Sequence, residues 1–375
     1  SLFFDEDGKV YYTGTDYNIY LQQLNVETGE AIGEKHYLWQ GTGANNPEGP
    51  HLYRINGWYY LLLAQGGTEM CHMAVIARSK EILGPYESCP HNPILTNIGQ
   101  ALPVKAAGHA DLVEDAAGNW WAVCLGNRPT GYPFRHIMGR ETMLVPVRWE
   151  DGWPVCGENG VVLPEFDVEQ KLPAFTSTGY VPGSDMTDDF QGSTLHPSWN
   201  YIYNPVSGLV TLTGDCLALQ GTAGLSEDVP KAWLGRRQEH FQCTAQAELA
   251  FVPASEKEEA GLTIYMNPAH HYEIVRTRRN GKDVLLLRRR IGSLMAEECV
   301  TECGTGKMIL TLRCTNDYYQ FSYMEDGCSH DLGRGETNYL STEAGGCFTG
   351  NYIALFASGN GTCLLYTSPS PRDCS

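Results

Sequence analysis

The first half of the chain repeats one pattern, a turn centred on glycine that is followed by a strand rich in aromatic residues. The pattern occurs at Asp7–Tyr12 (D-G-K-V-Y-Y), Asn56–Ala64 (N-G-W-Y-Y-L-L-L-A) and Ala117–Leu125 (A-G-N-W-W-A-V-C-L). The turn glycines recur at intervals typical of propeller blades. The pattern therefore predicts a β-propeller over residues 1–163. Because three blades cannot close a ring, we expect earlier blades to be missing.

The second half shows longer strands in which apolar and polar residues alternate. A stretch rich in Pro, Gly, Ser and Thr at 164–185 separates the two halves and predicts a linker. The Asn280-Gly281 pair between two alternating strands is a strong signal for a tight hairpin turn. No long amphipathic helix is recognisable. We therefore predict an all-β protein in which an incomplete propeller is followed by a jelly-roll β-sandwich over residues 186–362.

Both ends of the chain break the pattern. The sequence opens with S-L-F-F-D-E-D-G-K-V-Y-Y, a strand, a turn and a strand without an initiator Met, so we expect the chain to begin inside a hairpin. Residues 363–375 depart from the alternation and look like the translation of a sequencing adapter, with a disordered Pro/Ser tail as the alternative. We leave them out of the fold prediction and expect them to replace a strand of the sandwich.

Composition narrows the partners and the compartment. The formal net charge of −18 argues against nucleic acid, because phosphate binding needs a basic surface. The 13 cysteines show no spacing typical of a zinc site, so we predict free thiols in a reducing cytoplasm. Secretion is the alternative, since a signal peptide would precede the first residue. No stretch approaches the roughly 20 apolar residues of a membrane span, so no membrane partner is predicted.

The segment G-A-N-N-P-E-G-P-H-L-Y contains the main candidate for chemistry, Glu48. Pro47 and the Gly49-Pro50 pair restrict the backbone on both sides of it, so its carboxyl is aimed at the end of a blade, where a propeller has its central funnel. A glycosidase needs one carboxylic acid that stays protonated near neutral pH, which burial among apolar neighbours achieves. A solvated surface glutamate is the alternative interpretation.

Several motifs resemble glycoside hydrolase family 43, in particular its β-xylosidases and α-L-arabinofuranosidases. N-P-E-G-P-H-L-Y is followed by W-Y-Y-L-L-L-A-Q-G-G-T and, further on, by G-H-A-D-L-V-E and G-R-E-T-M-L-V-P-V-R-W. In the second half, L-H-P-S-W-N-Y, E-A-G-L-T-I-Y and L-S-T-E-A-G-G-C-F-T-G resemble the sandwich domain appended to the xylosidases. The resemblance covers residues 1–362 and implies a five-bladed propeller with a concanavalin-like sandwich.

The resemblance implies an inverting hydrolase that removes terminal β-xylosyl or α-L-arabinofuranosyl units from hemicellulose oligosaccharides. Glu48 matches the general acid of the family, whereas no residue matches its Asp general base. The Asp that modulates the acid belongs to a D-P-S-L-F motif, and this chain begins at the Ser of that motif. Asp5 and Asp7 lie in the following turn and are expected to be solvated. The fragment by itself is therefore expected to be inactive.

The resemblance also implies the residues that bind the sugar. His109 matches a His near the funnel axis that helps to hold a water or a cation, and a structural His bonded to a carbonyl is the alternative. Arg140 matches an Arg whose guanidinium donates hydrogen bonds to sugar hydroxyls. Gly67 and Thr68 belong to a tight loop that lets the substrate approach, next to Gln65, where the family usually has Glu.

Phe348, in C-F-T-G, is the candidate for an aromatic residue that closes the funnel and favours exo action, with a core aromatic as the alternative. No redox or nucleotide cofactor is predicted, and a calcium ion near His109 is the only metal considered. Two other functions stay open, a non-catalytic carbohydrate-binding protein and an endo-arabinanase. The sequence does not decide between xylose and arabinose, nor whether the protein forms a homo-oligomer.

Overall fold

The computed structural model describes residues 1–168, 172 and 184–359, together with the backbone of 363–367. The chain forms two compact units. The first consists of Ser1–Pro129 and Arg140–Ser177, and the second of Thr130–Gly139 and Thr178–Ser375. Most of the predicted linker lies outside the described residues. No helix among the described residues has the length and apolar character that crossing a membrane requires.

The first unit is built from three antiparallel sheets, which correspond to the three predicted blades. The first sheet has the order β1 (Leu2–Phe4), β2 (Val10–Thr15), β3 (Ile19–Leu24), β4 (Ala31–Tyr37). The second has the order β5 (Glu48–Ile55), β6 (Trp58–Gln65), β7 (Met73–Ser79), β8 (Glu87–Ser88), and β9 (Leu95–Thr96) also pairs with β7. The third has the order β10 (Lys105–Glu114), β11 (Trp120–Asn127), β12 (Glu141–Glu150), β13 (Trp153–Cys156).

The apolar run of β6 reflects its position between two cores. Leu61 and Leu63 are fully buried and pack with residues of the first sheet such as Ile19 and Leu21. Leu62, on the opposite face, packs with residues of the third sheet, including Ala122 and Val145. A strand that is buried on both faces needs apolar side chains at every position, so it shows a continuous apolar run instead of an alternation.

The second unit is a sandwich of two antiparallel sheets. One has seven strands in the order β14 (Val210–Leu212), β15 (Leu217–Gln220), β26 (Cys363–Thr367), β17 (Cys243–Ala250), β22 (Met308–Cys314), β23 (Tyr318–Glu325), β24 (Cys328–Glu336). The other has six, in the order β16 (Ala232–Arg237), β25 (Tyr352–Ser358), β18 (Glu259–Asn267), β19 (His270–Arg279), β20 (Lys282–Ile291), β21 (Leu294–Glu302). A 3₁₀ turn (Thr337–Leu340) and a single-turn α1 (Thr342–Gly345) precede β25.

The predicted hairpin at Asn280-Gly281 is confirmed. The two residues have φ angles of +51° and +78°, the left-handed conformations that a tight two-residue hairpin requires. They join β19 and β20, whose register runs without a shift from Arg279–Lys282 to His270–Ile291. The local turn chemistry was therefore sufficient to place this hairpin.

The sandwich extends beyond the predicted end at residue 362. The segment Cys363–Thr367, which we had left out of the fold, forms β26 and pairs with both β15 and β17. Its backbone occupies the gap between these two strands in the seven-stranded sheet. The prediction treated the segment as foreign to the fold, yet any five residues without Pro can complete the ladder, because ladder hydrogen bonds join backbone groups. Residues 368–375 lie outside the described part of the chain.

The segment Thr130–Gly139 belongs to the second unit, although the prediction placed it within the propeller. Ile137 and Met138 are buried in the sandwich core. The backbone N–H of Thr342 donates to the carbonyl of His136 at 3.1 Å, and that of Asn351 donates to Ile137 at 3.0 Å. The Nδ1 of His136 lies 2.7 Å from a carboxylate oxygen of Glu343. Two buried apolar residues, two backbone hydrogen bonds and the contact between His136 and Glu343 therefore tie residues 130–139 to the sandwich.

A buried ion network crosses the six-stranded sheet. Glu273 is 1% exposed and lies opposite Arg288 in the register of β19 and β20. The Nε of Arg288 donates to Glu273, and its two terminal nitrogens donate to Glu259 at 3.0 and 2.7 Å. Burial raises the pKa of Glu273 to about 7; the positive charge of Arg288 lowers this pKa, and the negative charge of Glu259 raises it. The two carboxylates raise the pKa of Arg288, which stays charged.

We predict that Glu273 makes the stability of the chain depend on pH. A carboxyl whose folded pKa lies above its unfolded value stabilises the folded state below the unfolded pKa, and this contribution disappears as pH rises through the folded pKa. The free energy of unfolding of the wild type should therefore fall by up to about 3 kcal/mol between roughly pH 4.5 and pH 7. Glu273→Gln should remove this dependence on pH. Urea unfolding at several pH values measures it.

The matched control is Glu302→Gln. Glu302 lies on β21 of the same sheet, but its side chain is 67% exposed and pairs with Lys282. Because of this exposure, we expect Glu302→Gln to keep the pH slope of the wild type. If Glu273→Gln and Glu302→Gln keep the same slope, Glu273 does not titrate as proposed.

Candidate active site

The loop that leads to Glu48 is anchored by Gln65. The Gln65 side chain is fully buried. Its Oε1 accepts the backbone N–H of Thr42 at 2.9 Å, and its Nε2 donates to the carbonyl of Ala44 at 3.0 Å. The backbone N–H of Gly66 also donates to Asn45 at 2.8 Å. The hydroxyl of Thr42 also donates to Oε1, so the Gln65 amide satisfies two donors and one acceptor of this loop.

Glu48 begins β5 and is half-buried. It lies opposite Ala64 in the ladder with β6, and the register shifts between Glu48 and His51. Gly49 has a φ of +56°, the left-handed conformation that favours glycine. The left-handed turn at Gly49 and the register shift together change the direction of the chain at the end of the blade. Glu48 therefore lies at a strand end, the position predicted for its carboxyl.

Gly49 also packs directly against His109, which comes from β10 of the third sheet. A Cβ atom at position 49 would lie 2.5 Å from Cε1 and 2.7 Å from Nε2 of His109. His109 has a φ of +50° and is exposed, next to a shift in the ladder between Gly108 and Asp111. The missing side chain at position 49 therefore lets the imidazole approach the backbone that carries Glu48.

Arg140 joins the same group. Its guanidinium donates a hydrogen bond to the hydroxyl of Thr68. Burial lowers the pKa of Arg140 and the negative charge of Glu48 acts in the opposite direction, so the two side chains are close enough to interact. Arg140 precedes β12 and Thr68 follows β6. The predicted residues Glu48, His109, Arg140 and Thr68 are thus contributed by two neighbouring sheets of the first unit.

The loop Gly66-Gly67-Thr68 is as tight as predicted. A Cβ atom at Gly66 would overlap the carbonyl oxygen of Cys71, and one at Gly67 would lie 3.2 Å from Nδ2 of Asn46. Both glycines have left-handed φ angles, +87° and +73°. Glycine at position 66 is therefore required by space as well as by its backbone conformation, whereas at position 67 the left-handed conformation is the main reason.

His72 is a member of the site that the sequence analysis missed. It is 1% exposed, and its Nδ1 lies 3.0 Å from the carbonyl oxygen of Ala106. Burial lowers the pKa of the His72 imidazole, and the charged groups that act on it are His109, Arg140 and Glu48. The one feature of the sequence that could have predicted this role is the position of His72 just before the apolar strand β7. Many structural histidines occupy such positions, so the feature does not single out His72.

Two further predictions concern Phe348 and a calcium ion. Phe348 belongs to the second unit and is 48% exposed, so it is not the core aromatic of the alternative interpretation. Its role in closing the funnel stays a prediction. Within the described ranges, no group of three or more His, Cys, Asp and Glu side chains could hold a metal ion. The calcium ion considered near His109 would need water or carbonyl ligands.

Comparison with known proteins identifies the family. Residues 1–154 match the profile "Glycosyl hydrolases family 43", and residues 187–365 match "Beta xylosidase C-terminal Concanavalin A-like domain". The chain is 39% identical over 375 residues to the "Non-reducing end alpha-L-arabinofuranosidase BoGH43B" of Bacteroides ovatus, covering 98% of this chain and 69% of that protein. The chain belongs to glycosyl hydrolase family 43.

Other family 43 proteins give the same result. A "Xylosidase/arabinosidase" of Butyrivibrio fibrisolvens is 33% identical and is matched over 96% of this chain and 73% of its own length. The solved structure "Bacteroides ovatus Xyloglucan PUL GH43B" superposes with a TM-score of 0.93 at 36% identity, over 100% of this chain and 75% of that one. A xylan β-1,4-xylosidase of Bacillus halodurans gives 0.91 at 28% identity, over 100% and 76%. The predicted fold class, blades followed by a concanavalin-like sandwich, is confirmed.

The anchoring of the Glu48 loop by Gln65 leads to a stability prediction. Gln65→Leu removes all three side-chain hydrogen bonds and leaves the N–H and hydroxyl of Thr42 and the Ala44 carbonyl without their partner, which should lower the free energy of unfolding by about 2–4 kcal/mol. Thr42→Val removes only the hydroxyl that donates to Gln65 at 3.1 Å, so its effect should stay near 1 kcal/mol or less. Thermal and urea unfolding measure both, and equal effects would show that the amide does not anchor the loop.

The contact between Gly49 and His109 leads to a second prediction. Gly49→Ala should push the His109 ring away and strain the backbone, lowering the free energy of unfolding by roughly 1–3 kcal/mol and shifting the NMR resonances of that ring. Gly43→Ala is the matched control, because Gly43 has a φ of +93° in the preceding loop but nothing within 4 Å of its Cβ position. It should strain the backbone without moving the His109 resonances. Unchanged His109 resonances in Gly49→Ala would contradict the contact.

Proposed function

We propose that this chain carries the general-acid side of the active site of an exo-acting, inverting glycosidase. The enzyme removes terminal β-xylosyl or α-L-arabinofuranosyl units from hemicellulose oligosaccharides. The observation that supports the proposal is the grouping of Glu48 with Arg140, Thr68 and His109 at the ends of two neighbouring blades. Both sugars are included because the similar proteins carry the names arabinofuranosidase and xylosidase.

Each residue of the group has a chemical task in this proposal. Glu48 gives its proton to the glycosidic oxygen as the bond to the leaving group breaks. The positive charge of Arg140 stabilises the carboxylate that remains, and this interaction strengthens as the transition state is reached. The guanidinium, oriented by its bond to Thr68, also donates to hydroxyls of the terminal sugar.

Inversion also requires a second carboxylate about 6.5–9.5 Å from the acid, with a water between them. Asp5 accepts hydrogen bonds from Arg54 at 3.0 Å and Tyr59 at 2.9 Å, and Asp7 pairs with Lys9 at 2.6 Å. These partners occupy both carboxylates, so neither is proposed as the base. Neither the base nor the modulating Asp is assigned to a residue in the described part of the chain.

A direct test compares this chain with the product of the full-length gene. Turnover of nitrophenyl β-xyloside and nitrophenyl α-L-arabinofuranoside is measured for both proteins, with release of sugar of inverted configuration followed by NMR. The proposal expects the full-length protein to hydrolyse at least one substrate. A full-length protein that binds pentosides but hydrolyses neither would favour a non-catalytic carbohydrate-binding protein instead.

The acid role of Glu48 makes a specific prediction for the full-length protein. Glu48→Gln should lower kcat by about 100-fold or more on xylobiose, whose leaving group must be protonated. The loss should be much smaller on dinitrophenyl xyloside, since that leaving group departs without a proton. Glu69→Gln, which changes a glutamate near Thr68 in the sequence, serves as the control and should leave both rates near those of the wild type. An equal loss on both substrates would exclude the acid role.

We also propose that the protein works in a reducing compartment, as expected for the cytoplasm. The eleven cysteines that the structure describes are all free thiols. Nine of these are buried or half-buried, and five of the nine, among them Cys124, Cys156 and Cys314, lie on β-strands, where a thiol acts as a small apolar group. Folded domains of oxidising compartments more commonly use several cysteines in disulfides.

A further inference from the structure

The Nε2 atom of His72 is a buried polar atom without a hydrogen-bond partner in the described part of the chain. The residue is 1% exposed. Its other ring nitrogen, Nδ1, is bonded to the carbonyl oxygen of Ala106 at 3.0 Å. A buried polar atom that stays unpaired costs about 1–3 kcal/mol, so such atoms in native proteins usually have a partner of another kind.

The imidazole of His72 cannot easily turn to find another partner. Gly108 packs closely against the ring, since a Cβ atom at that position would be 2.7 Å from Cγ and Nδ1 of the ring. The His109 ring lies 6.4 Å away, centroid to centroid. The glycine at position 108 therefore leaves room for the ring in this one place, with the Nδ1 bond fixing its orientation.

The bond to Ala106 also decides the chemical character of Nε2. A carbonyl oxygen only accepts, so Nδ1 carries the hydrogen, and in the neutral ring Nε2 is an acceptor. Burial lowers the pKa of His72 and so keeps the ring neutral. The missing partner must therefore donate a hydrogen. The side chains that act on the ring electrostatically are Glu48, Arg140 and His109, the residues of the candidate active site.

We propose that Nε2 of His72 accepts a hydrogen bond from a hydroxyl group within the active site, supplied by the bound pentose or by an ordered water beneath it. This inference rests on the proposed function, because the pentose that the proposal places in this site offers several hydroxyl groups that can donate to Nε2. His72 would then be a substrate-binding residue. Pentoses that place a hydroxyl group within hydrogen-bond distance of Nε2 would bind more tightly than those that do not. A neutral hydrogen bond of this kind changes affinity by about threefold to tenfold.

The central experiment replaces His72 by Asn in the full-length protein, in which the proposed function is also tested. The Asn amide nitrogen can take the place of Nδ1 and keep the bond to Ala106, but nothing replaces the acceptor at Nε2. We expect the dissociation constant for xylose or arabinose, measured by NMR titration, to rise about threefold to tenfold. His72→Gln, whose longer amide reaches the Nε2 position, should restore part of the affinity.

The matched control is His271→Asn. His271 is also 1% exposed and also bonds a backbone carbonyl through Nδ1, at 3.2 Å from Asn267, but it belongs to the sandwich. Its replacement should leave the affinity for pentoses unchanged. Thermal unfolding of both Asn variants shows how much each loses in stability, so that a loss of sugar binding can be separated from a loss of folded protein.

Monodeoxy pentoses identify the source of the hydroxyl. If one deoxy sugar binds wild type and His72→Asn equally, that missing hydroxyl is the donor; if the variant binds every deoxy sugar more weakly, the donor is a water. Either result supports the inference. If the wild type binds pentoses and His72→Asn binds them with the same affinity, the inference about His72 is wrong while the proposed function stands. A nitrogen NMR spectrum that places the ring proton on Nε2 would likewise overturn only the inference. A wild type that binds no pentose overturns the proposed function as well.

Discussion

The close approach of the Gly49 backbone to the His109 ring is the constraint on which the active site depends. Glu48 begins a strand of the second sheet and His109 lies on the third, so their distance is set where the two sheets meet. Any side chain at position 49 would fill that space. The left-handed turn that glycine permits serves two purposes here: it bends the chain after the acid, and it removes the atom that would separate the two groups.

The surroundings of the site show how its geometry is held. Gln65 is buried, and its amide satisfies the loop on one side of Glu48. Thr68 accepts a hydrogen bond from the guanidinium of Arg140, and Thr68 follows two glycines with left-handed φ angles. Each of these side chains makes at least one hydrogen bond within the protein that helps to fix the geometry of the site. For His72, Nδ1 is bonded to Ala106, whereas Nε2 has no partner among the described residues and is the atom that we propose meets a ligand hydroxyl.

The sandwich uses buried charge in another way. Glu273 and Arg288 face each other across two central strands, and Glu259 completes the network. Burying such ions gives little net stability compared with apolar residues of the same size, and it makes the energy of the sheet depend on protonation. The excursion Thr130–Gly139 adds to the same unit through Ile137 and Met138, so the sandwich core is not made from one continuous stretch of sequence.

The sequence by itself determined the features that depend on neighbours along the chain. The glycine turns, the Asn280-Gly281 hairpin and the alternation of the strands are local, and P-E-G-P restricted Glu48 through its own backbone. Tertiary structure alone decided the rest. The partner of Gln65, the place of His72 beside Glu48, the burial of Glu273 and the attachment of Ile137 to the sandwich all depend on residues distant in sequence. Composition and periodicity carry no information about which buried polar atoms meet, because that is fixed only when the sheets pack.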